Sequence, residues 1–255
     1  MRLVPEGVVV ERAFADLADA RLEPSEQAVV AGAVAARQRE FATVRDCARR
    51  ALARLGVAYE PLVPGASGAP SWPEGVVGSM THCPGFRAAA VARAAEFHVV
   101  ALDAEPNDPV PGGVLRRVAG AREQQWVERA LAAGDGVRWD RLLFSAKECV
   151  YKAWSPLTGR FLDFHEVELR PVGEGVLAAR LAVPGIELDN RPVDELHVRW
   201  VVRGGLLTTA VTVPRRPPAA GTVTVASRVR PPRCGSSPVR PADAGPRRCA
   251  PRSPG

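Results

Sequence analysis

Phe86-Arg-Ala-Ala-Ala-Val-Ala92 and Phe97-His-Val-Val-Ala-Leu-Asp103 are two apolar runs separated by four residues. Their lengths and unbroken apolar character predict two buried strands around a short turn. Upstream, Arg37 to Leu55 carries Phe41, Val44, Ala48, Ala51, Leu52 and Leu55 at helical spacing, with Gly56 as a C-terminal stop. The Pro- and Gly-rich stretch from Leu62 to Gly78 predicts a loop. Downstream, helices are expected over Ala121 to Ala133, stopped at Gly134, and over Ser145 to about Trp154. Glu166 to Leu169, Val176 to Val183 and Leu196 to Val213, the last folded at Gly204-Gly205, predict a closing antiparallel sheet. The expected class is α+β, with a helix followed by a hairpin in each half (1–108 and 109–214), a hint of pseudo-duplication without a detectable sequence repeat.

Composition limits what such a fold can do. With 46% hydrophobic residues among 255, the chain can bury a substantial core. No run of 18 apolar residues occurs, and Met1-Arg-Leu-Val-Pro-Glu6 lacks the pattern of a signal peptide, so a cytoplasmic protein without a membrane partner is expected. The five cysteines are scattered without metal-site spacing and are expected to be reduced thiols. The net charge of +6 suggests nucleic acid until it is divided along the chain. Residues 215–255 hold nine Arg, nine Pro, one acid and no aromatic residue, so the basicity belongs to a tail expected to be disordered. The body is left nearly neutral, and no nucleic-acid partner is expected.

Three stretches carry chemistry. In Asp103-Ala-Glu105-Pro106 the strand period of two sends both carboxylates to one side. Adjacent carboxylates repel unless a cation lies between them, and Mg2+ suits the donors because it also keeps waters and takes phosphate oxygens; the plain alternative is an exposed acidic strand end. Of the 34 Lys and Arg residues only Lys147 and Lys152 are lysine, and both lie in Ser145-Ala-Lys147-Glu148-Cys-Val-Tyr-Lys152. A capping box from Ser145 to Glu148 and an i, i+4 pair from Glu148 to Lys152 would account for this structurally. The concentration of both lysines points instead to a site that needs compact ammonium groups. Finally, Gly78-Ser-Met-Thr81-His82-Cys-Pro-Gly85 gathers a hydroxyl, an imidazole and Gly-flanked amides in what reads as an anion-cradling loop. Arg37 and Arg45, two helical turns apart and about 80° around the axis, can add cations or form a solvated face.

Gly78-Ser-Met-Thr-His-Cys-Pro-Gly-Phe-Arg-Ala-Ala-Ala-Val-Ala92, Ala101-Leu-Asp-Ala-Glu-Pro106 and Phe144-Ser-Ala-Lys-Glu-Cys-Val-Tyr-Lys-Ala-Trp-Ser-Pro-Leu-Thr-Gly-Arg-Phe-Leu-Asp-Phe164 together resemble the 4′-phosphopantetheinyl transferases. Within them the chain is most similar to the Sfp-type group and its enterobactin synthase component D-like branch. The resemblance runs from about Arg37 to Val213. It implies Mg2+-dependent transfer of the phosphopantetheine arm of coenzyme A to a serine of an apo acyl or peptidyl carrier protein, with release of adenosine 3′,5′-bisphosphate. A monomer serving polyketide, nonribosomal peptide or siderophore synthesis is expected. By position, Asp103, Glu105 and Glu148 match metal ligands; the chemistry of such a transfer makes Glu148, directly or through a metal-bound water, the expected catalytic base and Lys152 the cation for the charge developing on the pyrophosphate. Lys147 and Lys152 match lysines near the pyrophosphate, Thr81 with His82 the contact to the 3′-phosphate, and Arg37 and Arg45 the nucleotide end. Gly65-Ala66-Ser67-Gly68 stands where close relatives carry Gly-x-Lys-Gly, so one phosphate contact of the family pattern is missing. Arg116, Arg117 and Arg122 cluster as candidates for carrier docking.

Two other readings remain open at the sequence level. A metal-dependent nuclease also uses Asp-x-Glu with Lys, but alternates them along a strand, whereas Lys-Glu-x-x-x-Lys is helical. A catalytically decayed module that binds coenzyme A or a carrier protein retains the motifs without turnover.

Overall fold

The computed structural model describes residues 3–65 and 68–215. Ser67 and all but the first residue of the 215–255 tail lie outside the described residues. The first half runs β1 (Val9–Ala13), α1 (Pro24–Val30), α2 (Ala35–Arg54), β2 (Val76–Cys83), β3 (Phe86–Arg93) and β4 (Phe97–Pro106). The second runs α3 (Val114–Val118), α4 (Ala121–Ala133), α5 (Trp139–Thr158), a 3-10 turn at Phe164–Glu166, β5 (Val167–Gly173) and β6 (Val176–Leu181). It closes with β7 (Ile186–Leu188), β8 (Arg191–Val193), β9 (Glu195–Arg203) and β10 (Leu206–Pro214). The α+β class holds: 20-residue helices, α2 and α5, lie on antiparallel sheets in the order β1-β3-β2 and β4-β10-β9-β6-β5.

The opening pair of strands is real, but the two do not pair with each other. β3 bonds to β1 and β2, while β4 crosses to the edge of the second sheet and pairs with β10. The hairpin of the first half is β2–β3, and β2 covers the Gly78-to-Cys83 stretch expected to be loop. The alanines of β3 explain why it reads as one apolar run. Ala89 and Val91 pack beneath α2, whereas Ala88, Ala90 and Ala92 face Val100, Leu102 and Ala104 of β4. A strand buried on both faces shows no alternation, and small side chains let helix and strand approach it from either side. Gly78 serves the same end, because a Cβ there would sit 2.9 Å from the Trp72 ring and 2.7 Å from the Ala90 carbonyl oxygen.

α2 is amphipathic as expected and buries Cys47, Ala48, Ala51 and Leu52 completely. Full burial of a side chain such as Leu52 contributes about 1.5–3 kcal/mol. α5 starts six residues before the expected Ser145 and inserts Leu142, Leu143, Ala146, Val150 and Trp154 into the larger core. Pro156 is tolerated in its last turn, where only the bond to the Lys152 carbonyl is forfeited. Gly204 and Gly205 both take positive φ in the expected turn between β9 and β10, a conformation that favours glycine. Cys47, Cys83 and Cys149 are free, buried thiols. Among the described residues no helix is long and apolar enough to cross a membrane.

Candidate active site

Arg141, Ser145, Glu148 and Lys152 recur at i, i+4, i+7 and i+11 on α5, within about 60° of one another around the axis. This polar stripe faces Asp103 and Glu105 of β4. Ser145 Oγ donates to Asp103 Oδ2 at 2.6 Å, and Lys152 Nζ donates to Asp103 Oδ1 at 2.7 Å. Thr81 of β2 also donates to Asp103 Oδ1, at 3.3 Å, and its hydroxyl accepts from the Ala104 amide. Glu105 accepts from Arg141 Nη1 at 3.1 Å. Thr209 of β10 lies behind the stripe, 3.0 Å from Ser145 Oγ. Asp103 is therefore held from β2 and α5 at once.

The electrostatics follow from this crowding. Burial, then the neighbouring Asp103, pushes the Glu105 carboxyl above its ordinary value, with Arg141 opposing. Burial and Asp103 likewise raise Glu148, against the pull of Lys152. Burial alone would lower Lys152, but the Asp103 carboxylate beside it raises the ammonium overall. Three coupled carboxylates share two cations, an arrangement short of positive charge. The donors are all oxygen, which fits Mg2+. Among the described residues no three His, Cys, Asp or Glu side chains are gathered closely enough to form a metal cage by themselves. A cation that fills its remaining positions with water and substrate phosphate needs no such cage. Beside the stripe lies an open cleft of about 490 Å3, walled by Glu148, Lys152, Tyr151, Ser155, Trp72 and Met80.

Not every expected residue joins this site. Lys147 points into the core, its side chain fully buried, and Nζ donates at 2.7 Å to Val118 O, Glu123 Oε2 and Phe164 O. An ammonium has three donors; all three are spent, and the expectation that Lys147 reaches a pyrophosphate is corrected. Burial lowers its pKa, opposed by Glu123. Arg45 lies apart from the α5 stripe. It is buried with its guanidinium 3.4 Å from the Phe41 ring centroid and donates to Leu62 O, and burial brings its pKa down to about 10. Thr81 and His82, expected to act together, project to opposite sides because β2 is a strand and not a loop. His82 turns to α2, with Nε2 2.6 Å from Arg37 Nη1 and Nδ1 3.0 Å from Glu40 Oε1. Ser145 makes no cap, because it lies mid-helix.

Arg141, Ser145 and Thr209 were missed by sequence reasoning. The first two were detectable as the continuation of the Glu148–Lys152 stripe toward the N-terminus of α5; Thr209 carries no such periodic signal.

Apart from Thr209, these site residues stand within two family-model matches, the 4′-phosphopantetheinyl transferase N-terminal domain over residues 25–92 and the 4′-phosphopantetheinyl transferase superfamily over residues 99–199. The 4′-phosphopantetheinyl transferase Svp of Streptomyces mobaraensis is 54% identical over 215 residues, covering 83% of this chain and 87% of the relative. The chain belongs to the 4′-phosphopantetheinyl transferase family. PptT of Mycobacterium tuberculosis is 42% identical over 74% of this chain and 85% of its own length. Npt of Nocardia iowensis is 39% identical over 82% of this chain and 97% of its own. The chain is thus a transferase, and the stripe of α5 facing β4 lies within the part of it that the superfamily model matches.

Proposed function

We propose that this transferase moves the 4′-phosphopantetheine arm of coenzyme A to a serine of an apo acyl or peptidyl carrier protein, releasing adenosine 3′,5′-bisphosphate. The observation that carries the reading is the α5 stripe, Ser145, Glu148 and Lys152, set against Asp103 and Glu105 at the wall of an open cleft. Asp103, Glu105 and Glu148 are the residues that would hold Mg2+, which when bound supplies charge neutralisation at a pyrophosphate. Lys152 adds a fixed positive charge where the departing phosphate gathers negative charge. Ser145 and Thr81 hold Asp103 in place and orient that lysine. Glu148 accepts no hydrogen bond among the described residues and lines the cleft, which places it to take the serine proton. The serine proton passes to Glu148 as the serine Oγ–P bond forms and the P–O bond to the nucleotide phosphate breaks.

Docking falls to Arg116 and Arg117 of α3 and Arg122 of α4, all exposed, since the nearly neutral body offers little long-range steering. The carrier belongs to a polyketide, nonribosomal peptide or siderophore system, and the protein acts in the cytoplasm as a monomer whose halves meet near residue 108.

The test is the mass of apo carriers of these classes after incubation with the protein, coenzyme A and Mg2+. A gain of one phosphopantetheine that requires Mg2+ and is lost in Glu148→Gln supports the reading. Wild-type rate in Glu148→Gln at saturating Mg2+ removes Glu148 as base. Coenzyme A binding without transfer to any carrier favours a non-catalytic binding module.

A further inference from the structure

Three donor groups from three elements converge on one carboxylate outside the α5 stripe. Glu40 of α2 receives Arg37 Nη1 at 2.5 Å and His82 Nδ1 at 3.0 Å, with Arg87 Nη2 of β3 at 3.7 Å. Its side chain is only 18% exposed, whereas those of Arg37 and His82 are 43% and 38% exposed. The carboxylate thus lies beneath two groups that remain open to solvent. The imidazole is spoken for on both sides: with Nδ1 donating to Glu40, Nε2 accepts from Arg37 at 2.6 Å. Burial lowers the pKa of the imidazole against the pull of Glu40, with Arg37, Lys152 and Arg87 adding to the lowering. Arg87 is tied on its far side to Asp16 at 2.7 Å.

Such a cluster is an anion site whose anion is supplied by the chain itself. We infer that Glu40 occupies the position of a substrate phosphate monoester, and that the 3′-phosphate of coenzyme A must displace it from Arg37 and His82 to bind. This rests on assigning Arg37 and His82 to the nucleotide end under the proposed transferase activity; what is added is the role of Glu40. A dianionic monoester carries more charge and more acceptor oxygens than one carboxylate, so it competes successfully for a bidentate guanidinium. A coenzyme that lacks the 3′-phosphate has nothing to offer there and leaves Glu40 in place. Glu40 is therefore a specificity-determining residue, one that sets how much the 3′-phosphate contributes to binding.

The experiment compares KM and kcat for coenzyme A and for 3′-dephospho-coenzyme A in the wild type, Glu40→Gln, Glu40→Asp and Arg37→Ala, with unfolding midpoints for each. Glu40→Gln keeps an acceptor for His82 Nδ1 but no longer competes as an anion. Its KM for coenzyme A is expected to fall about three- to ten-fold, the scale of one partly exposed charge-assisted contact, with kcat unchanged. Its KM for 3′-dephospho-coenzyme A stays at the wild-type value. Glu40→Asp, which withdraws the carboxylate by one methylene, shows a smaller fall for coenzyme A alone. Equal shifts for both coenzymes, or none for either, overturn the role of Glu40. If Arg37→Ala also leaves both KM values alone while transfer proceeds, the nucleotide end lies elsewhere, although the transferase reading survives.

Discussion

Replacing Lys147 by Met separates a buried structural lysine from a catalytic one. Met keeps an unbranched apolar chain in the same space but removes three hydrogen bonds of 2.7 Å and the charge that balances Glu123. Glu123 is itself 3% exposed, and it also accepts from the amides of Gly120 and Leu169 at 2.8 Å. The substitution therefore leaves an uncompensated carboxylate in the core and takes the ammonium donor from Val118 O, while Phe164 O keeps the Val167 amide. Breaking a buried pair from one side costs about 3–5 kcal/mol, against a total domain stability of about 5–15 kcal/mol. Urea unfolding should show that loss in Lys147→Met. Glu123→Gln combined with Lys147→Met should be less damaged than the sum of the single variants, with a coupling of about 1–3 kcal/mol. Assayed at low temperature, where it remains folded, Lys147→Met should keep its KM for coenzyme A within about two-fold, because no Nζ proton is free to meet substrate. A variant that unfolds like the wild type within about 1 kcal/mol yet binds coenzyme A ten-fold more weakly would refute the reasoning.

The remaining predictions concern the stripe of α5 and the surface beside it. Ser145→Ala deletes the 2.6 Å bond that fixes Asp103 and should lower kcat about ten-fold or more with little change in KM for the carrier, as steady-state kinetics will show. The folded-state pKa values of Glu105 and Glu148 are raised, so the folded protein binds more protons than the unfolded chain. Without substrate or metal, the contribution of these two groups to stability should be fully present below the ordinary carboxylate value and be lost as pH rises through the raised values. Melting temperatures from pH 4 to 8 should show this loss, and it should flatten in Glu148→Gln. Arg116→Glu with Arg117→Glu should raise KM for an acidic carrier about ten-fold or more, more strongly at low salt, and leave KM for coenzyme A unchanged.

The sequence by itself determined the fold class, several of the elements and the family, because these depend on local spacing and motif. The apolar period of α2, the run of β3, the turn at Gly204-Gly205 and the limits of α4 follow from residues within one or two turns of each other. The motifs around Asp103, Glu148 and Lys152 were legible for the same reason. Only tertiary structure decided which strands pair and which charges are spent. An alanine-rich strand buried on both faces carries no mark of its partner, so the passage of β4 into the second sheet could not be read from Phe97 to Asp103. Two lysines five positions apart look equivalent in one dimension, yet 500° of helical rotation sends Lys152 to Asp103 and Lys147 to Glu123. The burial of Arg45 against Phe41 and Leu62 was equally beyond a local reading. Whether a cation is free or committed depends on partners distant in the chain, and a local pattern contains no term for them.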